Sequence, residues 1–417
     1  MSHSVTSGRS PQQTLWNGMH FLCEESKMLT GVSIAYGTAS QSEAVLTGRA
    51  QEIALAGNEF VPNEKPLTED SIFDLASLSK LFTSILILQL VHRGALDLNE
   101  YVGEIVPRFI HLRNTTVFDV LCFRACLQTP GRIDDAPDRD EGLNRLFLVH
   151  PAPLPPIRIY SDINAMVLKY VIEAKSGMPL AQALETMILR PAGLGDTYAS
   201  VPQDAARRCV CYNFEHRIAG ERYILRTDVL PGLPHDPKAL LLSQGGRDLC
   251  GHAGVFSTRG DMIRLAQALL GGELLPLDLL MEIGRDRTGL DHGDGTHRQY
   301  LGFQCFSKHP NQHLSEVPEW MSHLALGLSG FTGNHLSIDP VRNAFVLFLG
   351  NRCHGRVSNI APPQGGSLTD YGLAPNGTGN VAWPDGRLVP SSARYVYFKD
   401  ERLHAPIRDR MRELGWI

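Results

Sequence analysis

The stretch FDLASLSKLF, residues 73–82, places two serines and a lysine at the head of a long apolar segment. From Leu78 to Val91, apolar residues recur at three- and four-residue spacing, which predicts a buried α-helix. Ser77 and Lys80 are three positions apart, so on a helix their side chains share one face. A serine nucleophile with a lysine as its base needs that spacing. A Ser77 that only caps the helix, beside an exposed Lys80, would give the same pattern.

A lysine in the role of base must lose its proton near neutral pH. The pKa of a free lysine is about 10.4, so burial or a neighbouring cation has to lower it. Lys80 stands at the start of an apolar helix. We therefore expect the apolar surroundings to lower the pKa of Lys80.

Strand signals occur near both ends of the chain, and the segment between them reads as mostly helical. The β-branched runs are residues 31–36, 43–50, 334–339 and 343–350. Each pair is separated by a short turn and predicts an antiparallel hairpin. The predicted fold class is α+β, with an antiparallel sheet flanked by helices and a mostly helical lobe inserted between its strands. A cleft between the two lobes is the expected place for a site.

The predicted organisation has three parts. Residues 1–14 are polar and unpatterned, which indicates a flexible tail. Residues 15–355 form the main domain, with the helical lobe at about 95–250. Residues 356–417 are expected to pack on the same domain: a segment rich in Gly and Pro reads as a long loop laid over the body or as an ordered excursion near a site, and a short helix covers residues 405–416.

Charge and composition exclude several classes of function. The chain has 417 residues and a formal net charge of −5, from 39 basic and 44 acidic residues without long blocks. No patch for nucleic acid or a membrane surface is indicated. No apolar run reaches the ~20 residues of a membrane span, and residues 1–30 lack the features of a secretory signal, so we expect a cytoplasmic protein. The eight cysteines contain no C-x-x-C pair and are expected to be reduced thiols.

Three further segments hold candidate site residues. Tyr160-Ser161-Asp162 precedes a helix, and a tyrosine there could relay a proton, although a half-buried aromatic with a helix cap explains the segment as well. Gly251-His252-Ala253-Gly254 reads as a turn. Residues 327–333 precede the last hairpin and could bring a backbone N–H close to a reacting carbonyl, or could form a strand-edge bulge.

A metal site has one weak candidate. The segment DHGDGTH, residues 291–297, offers His292, Asp294 and His297 to a metal. It has no helix or strand pattern, so a solvated turn is the better interpretation. We therefore expect no metal and no cofactor.

In this order, the motifs resemble a known superfamily. S-x-x-K, then Y-S-D-x-N, then HDPKA before GHAGVFST, and SGFTGNHLSIDP before the final strands are similar to those of the serine β-lactamases and penicillin-binding proteins. The branch with class C β-lactamases, related esterases and transacylases is the most similar. The resemblance covers about residues 30–355.

The resemblance implies a β-lactamase/transpeptidase-like fold and a set of roles. Ser77 would be the acylated nucleophile, Lys80 its base partner and Tyr160 an acid/base, with the N–H groups of Ser77 and Phe331 as oxyanion donors. The substrate-binding residues would be Asp162, Asn164, His252, Leu328, Ser329 and Gly330. The partners would be a small-molecule acyl donor and an amine or alcohol acceptor, and the oligomeric state stays open.

Two departures from the family pattern affect the expected substrate. Leu328-Ser329-Gly330 stands where many relatives have Lys-Thr-Gly or His-Thr-Gly, so a cation for a substrate carboxylate is missing there. Asp162 stands where the family has asparagine. We expect a cytoplasmic transacylase that moves an acyl group from an ester or thioester to an amine or alcohol without ATP. The alternatives are a carboxylic-ester hydrolase and a non-catalytic binding descendant.

Overall fold

The computed structural model describes residues 10–417 apart from 153–158, 244–247, 288–299 and 309–315. The possible metal segment DHGDGTH lies outside the described residues. The strands are β1 (Gly31–Gly37), β2 (Ser42–Ala56), β3 (Glu59–Pro66), β4 (Phe73–Asp74), β5 (Leu127–Gln128), β6 (His150–Pro151), β7 (Glu215–Ala219), β8 (Arg222–Arg226), β9 (Phe256–Ser257), β10 (Tyr300–Leu301), β11 (Phe306–Ser307), β12 (Leu326–Ser329), β13 (His335–Asp339), β14 (Ala344–Gly350), β15 (Val357–Ala361), β16 (Asn380–Ala382) and β17 (Leu388–Pro390).

Helices connect and cover these strands. They are α1 (Pro11–His20), α2 (Ser79–His92), α3 (Val102–Ile105), α4 (Val117–Leu121), α5 (Arg139–Phe147), α6 (Asp162–Ser176), α7 (Leu180–Leu184), α8 (Arg190–Ala192), α9 (Pro237–Leu242), α10 (Arg259–Leu270), α11 (Leu277–Gly284) and α12 (Tyr395–Glu413). Among the described residues, no helix is long and apolar enough to cross a membrane.

The main sheet is built from strands near both ends of the chain, as predicted. Its eight strands lie in the order β10-β11-β12-β13-β14-β1-β2-β3, and the paired neighbours run antiparallel. Every residue of β1 and β14 is buried, because successive side chains point to opposite faces and both faces are covered. Val346 and Phe348 pack with α1 and α12 on one face. Leu347 and Leu349 join the larger core with α2 and α10 on the other.

The inserted segment is mostly helical, but it also carries strands. Helices α3–α9 lie within it, and so does the hairpin of β7 and β8. β15 pairs with β7 in parallel and completes a second, three-stranded sheet. The chain beyond residue 355 therefore returns to the inserted segment.

Two predicted boundaries differ from the structure. The tail prediction is wrong for residues 11–14, because α1 begins at Pro11 with the Ser10 hydroxyl accepting from the Gln13 N–H. Of the two interpretations of residues 356–390, the long loop does not describe the segments that form β15, β16 and β17.

The C-terminal helix is longer than predicted and continues through Pro406. Proline cannot donate to the carbonyl four positions earlier, here that of Arg402. A Cβ placed on Gly18 of α1 would lie 2.9 Å from that carbonyl oxygen. The missing hydrogen bond therefore falls where α1 and α12 approach each other most closely, and tertiary packing carries the helix past the proline.

Candidate active site

Ser77 lies in a 3₁₀ turn, Ala76–Leu78, that leads directly into α2. Its hydroxyl does not cap the helix. It accepts a hydrogen bond from Lys80 Nζ at 2.9 Å. The preceding residue, Ala76, has φ +48°, a strained value for a residue with a side chain. The Ala76 N–H donates to Asp74 Oδ1 at 2.8 Å, which helps to hold this turn in place.

Lys80 is completely buried and lies at the centre of the site. Besides Ser77, its Nζ contacts Asp162 Oδ1 at 2.7 Å and the His252 carbonyl at 3.3 Å. Burial alone would lower the pKa of Lys80, but the negative charge of Asp162 outweighs burial, so the pKa is raised. The expectation of a lowered pKa is therefore wrong. At neutral pH, Lys80 is an ammonium ion that donates to the serine.

Tyr160 lies beside Lys80, with Lys80 Nζ 4.8 Å from the centre of its ring. The ring stacks on Phe306 at 5.0 Å and packs against Phe123 at 5.2 Å. The hydroxyl is buried and has no hydrogen-bond partner among the described residues. Burial raises the pKa of Tyr160, against the opposing charge of Lys80. Tyr160 is therefore a neutral phenol next to the serine–lysine pair.

The loop after β12 is fastened to the segment just before Ser77. Thr332 Oγ1 and Asn334 Nδ2 donate to the Asp74 carbonyl at 2.9 and 2.6 Å. Gly330 packs so closely that a Cβ there would lie 2.7 Å from the Leu75 carbonyl oxygen. Phe331 follows, with its ring 38% exposed. This packing holds residues 330–334 against residues 74–76, which directly precede Ser77.

A network of charged side chains extends from Asp162, and sequence reasoning did not identify it. Lys238 Nζ contacts Asp162 Oδ2 at 3.1 Å and Asp236 Oδ2 at 3.3 Å. Asp236 Oδ1 in turn meets His252 Nε2 at 2.8 Å. The motif HDPKA, which holds Asp236 and Lys238, was the available signal. Its place in the site depends on a contact with Asp162, which is distant in the sequence.

Within the part of the chain that the structure describes, the same network is one of two groups of side chains that could hold a metal ion. The ligand atoms of Asp162, Asp236 and His252 lie within 4.8 Å of one another. The ammonium groups of Lys80 and Lys238 already pair with these carboxylates. The ion pairs balance the acidic charge, so the donor set does not fit a further cation well.

Three predicted substrate-binding residues have other roles. Asn164 is completely buried, and its amide donates to the Val120 carbonyl at 2.9 Å, so it supports the fold. Leu328 is completely buried in the main core and does not present an apolar wall at the protein surface. The Ser329 hydroxyl is engaged by His335 Nδ1 at 3.1 Å and by Glu316. Asp162, the His252 carbonyl and Gly330 do lie around Ser77 and Lys80.

Comparison with known proteins decides the family. The β-lactamase family model matches residues 34–365. A putative D-alanyl-D-alanine carboxypeptidase of Salmonella typhimurium is 30% identical over 360 residues, which cover 77% of this chain and 78% of the relative. The chain belongs to the β-lactamase family. It is an acyl-serine enzyme of the β-lactamase type.

Solved structures agree with the fold of the β-lactamase family. A mutant of simvastatin synthase, LovD, from Aspergillus terreus has a TM-score of 0.66 at 17% identity and covers 99% of this chain and 100% of its own. A class C β-lactamase from Rhodobacter sphaeroides has a TM-score of 0.59 at 21% identity and covers 82% of this chain and 95% of its own. The predicted α+β fold with an antiparallel sheet and helices is confirmed.

Asp162→Asn, which restores the asparagine of the β-lactamase family, is expected to move the pH dependence of ester turnover to lower pH. Asp162 raises the pKa of Lys80, so the ammonium keeps its proton until alkaline pH. With asparagine, burial remains and lowers the pKa of the lysine. Because the ammonium form of Lys80 takes part in the proton exchange, the alkaline limb of the rate profile, where that form is lost, should move to lower pH, measured with 4-nitrophenyl butyrate.

The matched control is Asp248→Asn. Asp248 pairs with the buried Lys169 at 2.8 Å. Lys169 lies on α6, the same helix as Asp162, but its ion pair is separate from that of Asp162. This variant should leave the profile in place. An unchanged limb in Asp162→Asn would show that Lys80 does not set the pH dependence.

Proposed function

We propose that this protein transfers an acyl group from an ester or thioester to an amine or alcohol through an acyl-enzyme on Ser77. The single observation that carries the proposal is the 2.9 Å contact between Ser77 Oγ and the buried Lys80 Nζ. Ser77 is partly exposed, whereas Lys80 is completely buried. A substrate can therefore reach the hydroxyl while the protein surrounds its proton-transfer partner.

Each half of the reaction moves one acyl group and one proton. In the first half, Ser77 Oγ bonds to the acyl carbon, the bond to the leaving alcohol or thiol breaks, and the serine proton leaves with that group. In the second half, the acceptor nitrogen or oxygen bonds to the acyl carbon, the bond between the acyl carbon and Ser77 Oγ breaks, and the acceptor's proton restores the Ser77 hydroxyl. The N–H groups of Ser77 and Phe331 would stabilise the oxyanion in both halves.

The proton route passes through Lys80 and Tyr160. Because Lys80 is already protonated at rest, it can accept the serine proton only while it gives one up. The neighbouring phenol of Tyr160 can take that proton only as its own O–H proton passes to the leaving alcohol or thiol, while Asp162, at 2.7 Å, holds the ammonium in place. The chemistry therefore needs a concerted exchange within this group, and a neutral lysine waiting as a base is not required.

Transfer is proposed over hydrolysis because aromatic rings surround the reacting groups. Phe123 and Phe306 pack against Tyr160, and the exposed Phe331 ring belongs to the proposed oxyanion residue. Apolar walls disfavour ordered water and favour an acceptor that has binding surface of its own. Leu328 does not contribute to these walls, because its side chain is completely buried.

Product partitioning tests transfer against hydrolysis. With saturating 4-nitrophenyl butyrate and a panel of primary amines at millimolar concentration, most acyl groups should appear as amide. Water is then ~10⁴-fold more concentrated, so this result requires a positioned acceptor with high effective molarity. The readout is the ratio of butyramide to butyrate by mass spectrometry.

A reaction without enzyme measures direct aminolysis and is subtracted. Hydrolysis that dominates with every amine and alcohol tried would instead identify the protein as an ester hydrolase. Complete absence of turnover and of labelling at Ser77 would support the non-catalytic descendant.

A further inference from the structure

Cationic groups surround the exposed ring of Phe331. The guanidinium carbons of Arg217 and Arg352 each lie 5.0 Å from the ring centre. The imidazole of His235 stacks on the ring at 5.6 Å. All three groups come from outside the serine–lysine–tyrosine site, and they meet at the residue whose N–H is the proposed oxyanion donor.

Negative charge in this cluster is scarce. Glu215 is completely buried, and its Oε2 meets Arg217 Nη2 at 2.9 Å, His235 Nε2 at 2.9 Å and Arg226 Nη1 at 3.6 Å. Burial would lower the pKa of His235, but Cys353 and Glu215 raise it to about 10, so His235 is a cation at neutral pH. Arg226 also pairs with Asp228 at 3.3 Å, whereas Arg217 and His235 share Glu215, and Arg352 adds a further guanidinium to the cluster.

Two of these cations have an unused donor. Arg217 Nε and Arg352 Nε are both buried and have no hydrogen-bond partner among the described residues. Arg352 is 8% exposed, and its Nη2 donates to the Ser358 carbonyl. The Arg217 side chain is 27% exposed, so a ligand can reach its guanidinium. An oxyanion that reaches the exposed part of the Arg217 side chain would form charge-assisted hydrogen bonds with its guanidinium.

The position of Arg217 follows from strand geometry. Glu215 and Arg217 are two residues apart on β7, so their side chains lie on the same face. Asp74 Oδ2 accepts from the His235 N–H at 2.6 Å, and the Asp74 carbonyl accepts from Thr332 in the loop after β12. The segment before Ser77 therefore contacts both the cationic cluster and the loop after β12.

We propose that Arg217 binds an anionic group, a carboxylate or a phosphate, carried by the acyl donor or the acceptor of the Ser77 reaction. This inference rests on the proposed function and names the charge of its substrate. Leu328 stands where relatives have a cation for a substrate carboxylate. In this protein, that cation would be Arg217 of β7, which comes from a different part of the chain than β12.

A metal ion is a poorer fit to the same cluster. Glu215, His235 and Cys353 have ligand atoms within 4.8 Å of one another. Arg217 and Arg226 already pair with Glu215, so a divalent cation would add positive charge where positive charge is in excess. The charge balance favours an anion.

Matched substrate pairs test the proposal. The carboxylate pair is 4-nitrophenyl hydrogen glutarate and its methyl ester, and the phosphate pair is butyryl-4′-phosphopantetheine and butyryl-pantetheine. Arg217→Gln should lower kcat/KM for one anionic member by roughly 10- to 100-fold, mainly through KM, and leave the neutral member within about twofold. Arg217→Lys, which keeps the charge, should retain part of the preference.

The matched control is Arg222→Gln, an exposed arginine on the adjacent strand of the same hairpin, which should change neither substrate. A preference for the carboxylate probe or for the phosphate probe, lost in Arg217→Gln, supports the site and identifies its ligand. Equal activity of the wild-type protein on both members of both pairs overturns it. An equal fall for anionic and neutral members in Arg217→Gln overturns it as well.

A binding measurement separates this inference from the proposed function. Calorimetric titration of glutarate and of inorganic phosphate into the Ser77→Ala protein does not depend on turnover. Binding that disappears in Ser77→Ala/Arg217→Gln supports the anion site even if no ester is a substrate. If neither anion binds, or if binding is unchanged in the double variant, Arg217 is not an anion-binding residue.

Discussion

Ser77→Ala should abolish turnover, by roughly 10⁴-fold or more, while the protein remains folded. The hydroxyl is partly exposed and does not cap α2, so its loss removes one hydrogen bond from Lys80 and should cost only about 1 kcal/mol of stability. Intact-mass spectrometry after a fluorophosphonate probe should show one adduct on the wild-type protein and none on the variant. Thermal unfolding should be nearly unchanged.

Ser79→Ala is the control for this experiment. The Ser79 hydroxyl accepts from the Val255 N–H at 3.1 Å and is buried, so it supports a loop and does not face the cleft. This variant should be somewhat less stable but should still form the adduct. A probe adduct on any residue other than Ser77 would contradict the assignment of the nucleophile.

Lys80→Met should lower the rate of ester turnover by about 10²- to 10⁴-fold, the range for a positioned acid or base. Methionine fills a similar volume but cannot exchange a proton with Ser77. Asp162 loses one partner but keeps Lys238 at 3.1 Å, so its charge is not left alone. We expect a loss of about 1–3 kcal/mol in the free energy of unfolding, less than for a fully unpaired buried charge.

Lys169→Met separates stability from chemistry. Lys169 is also a buried lysine in an ion pair, with Asp248 at 2.8 Å. It should lose stability to a similar degree and keep the rate of turnover per folded molecule. If both variants lose activity in proportion to their unfolding, Lys80 acts only through the fold.

Local features of the site could be predicted from the sequence because they depend on neighbours along the chain. The three-residue spacing of Ser77 and Lys80 predicts the contact between their side chains, which the structure shows. The helix cap expected at Tyr160-Ser161-Asp162 is also present, since Ser161 accepts from the Ile163 N–H at the start of α6.

The charge state of Lys80 could not be predicted in the same way. The direction of the pKa shift of Lys80 depends on whether burial or the negative charge of Asp162 dominates. Asp162 dominates because Lys80 Nζ and Asp162 Oδ1, which lie on different helices, are 2.7 Å apart. Arg217 could not be predicted for a related reason, because its contact with Phe331 joins residues that are more than 100 positions apart in the chain. Strand β15 was read as loop because its partner, β7, lies far away in the chain.

The pairing of β1 with β14 also determines when this enzyme can exist during its synthesis. Ser33 of β1 lies opposite Leu349 of β14, so β1 cannot pair with β14 until most of the chain has been synthesised. At ~5–20 residues per second, β14 leaves the ribosome roughly 15–60 seconds after β1. Ser77 and Lys80 emerge early in that interval, but the Phe331 N–H arrives only near its end. A ribosome-bound chain that stops before β12 would thus carry the proposed nucleophile without the proposed oxyanion donor of Phe331, and we expect the nascent protein to stay inactive until the sheet is complete.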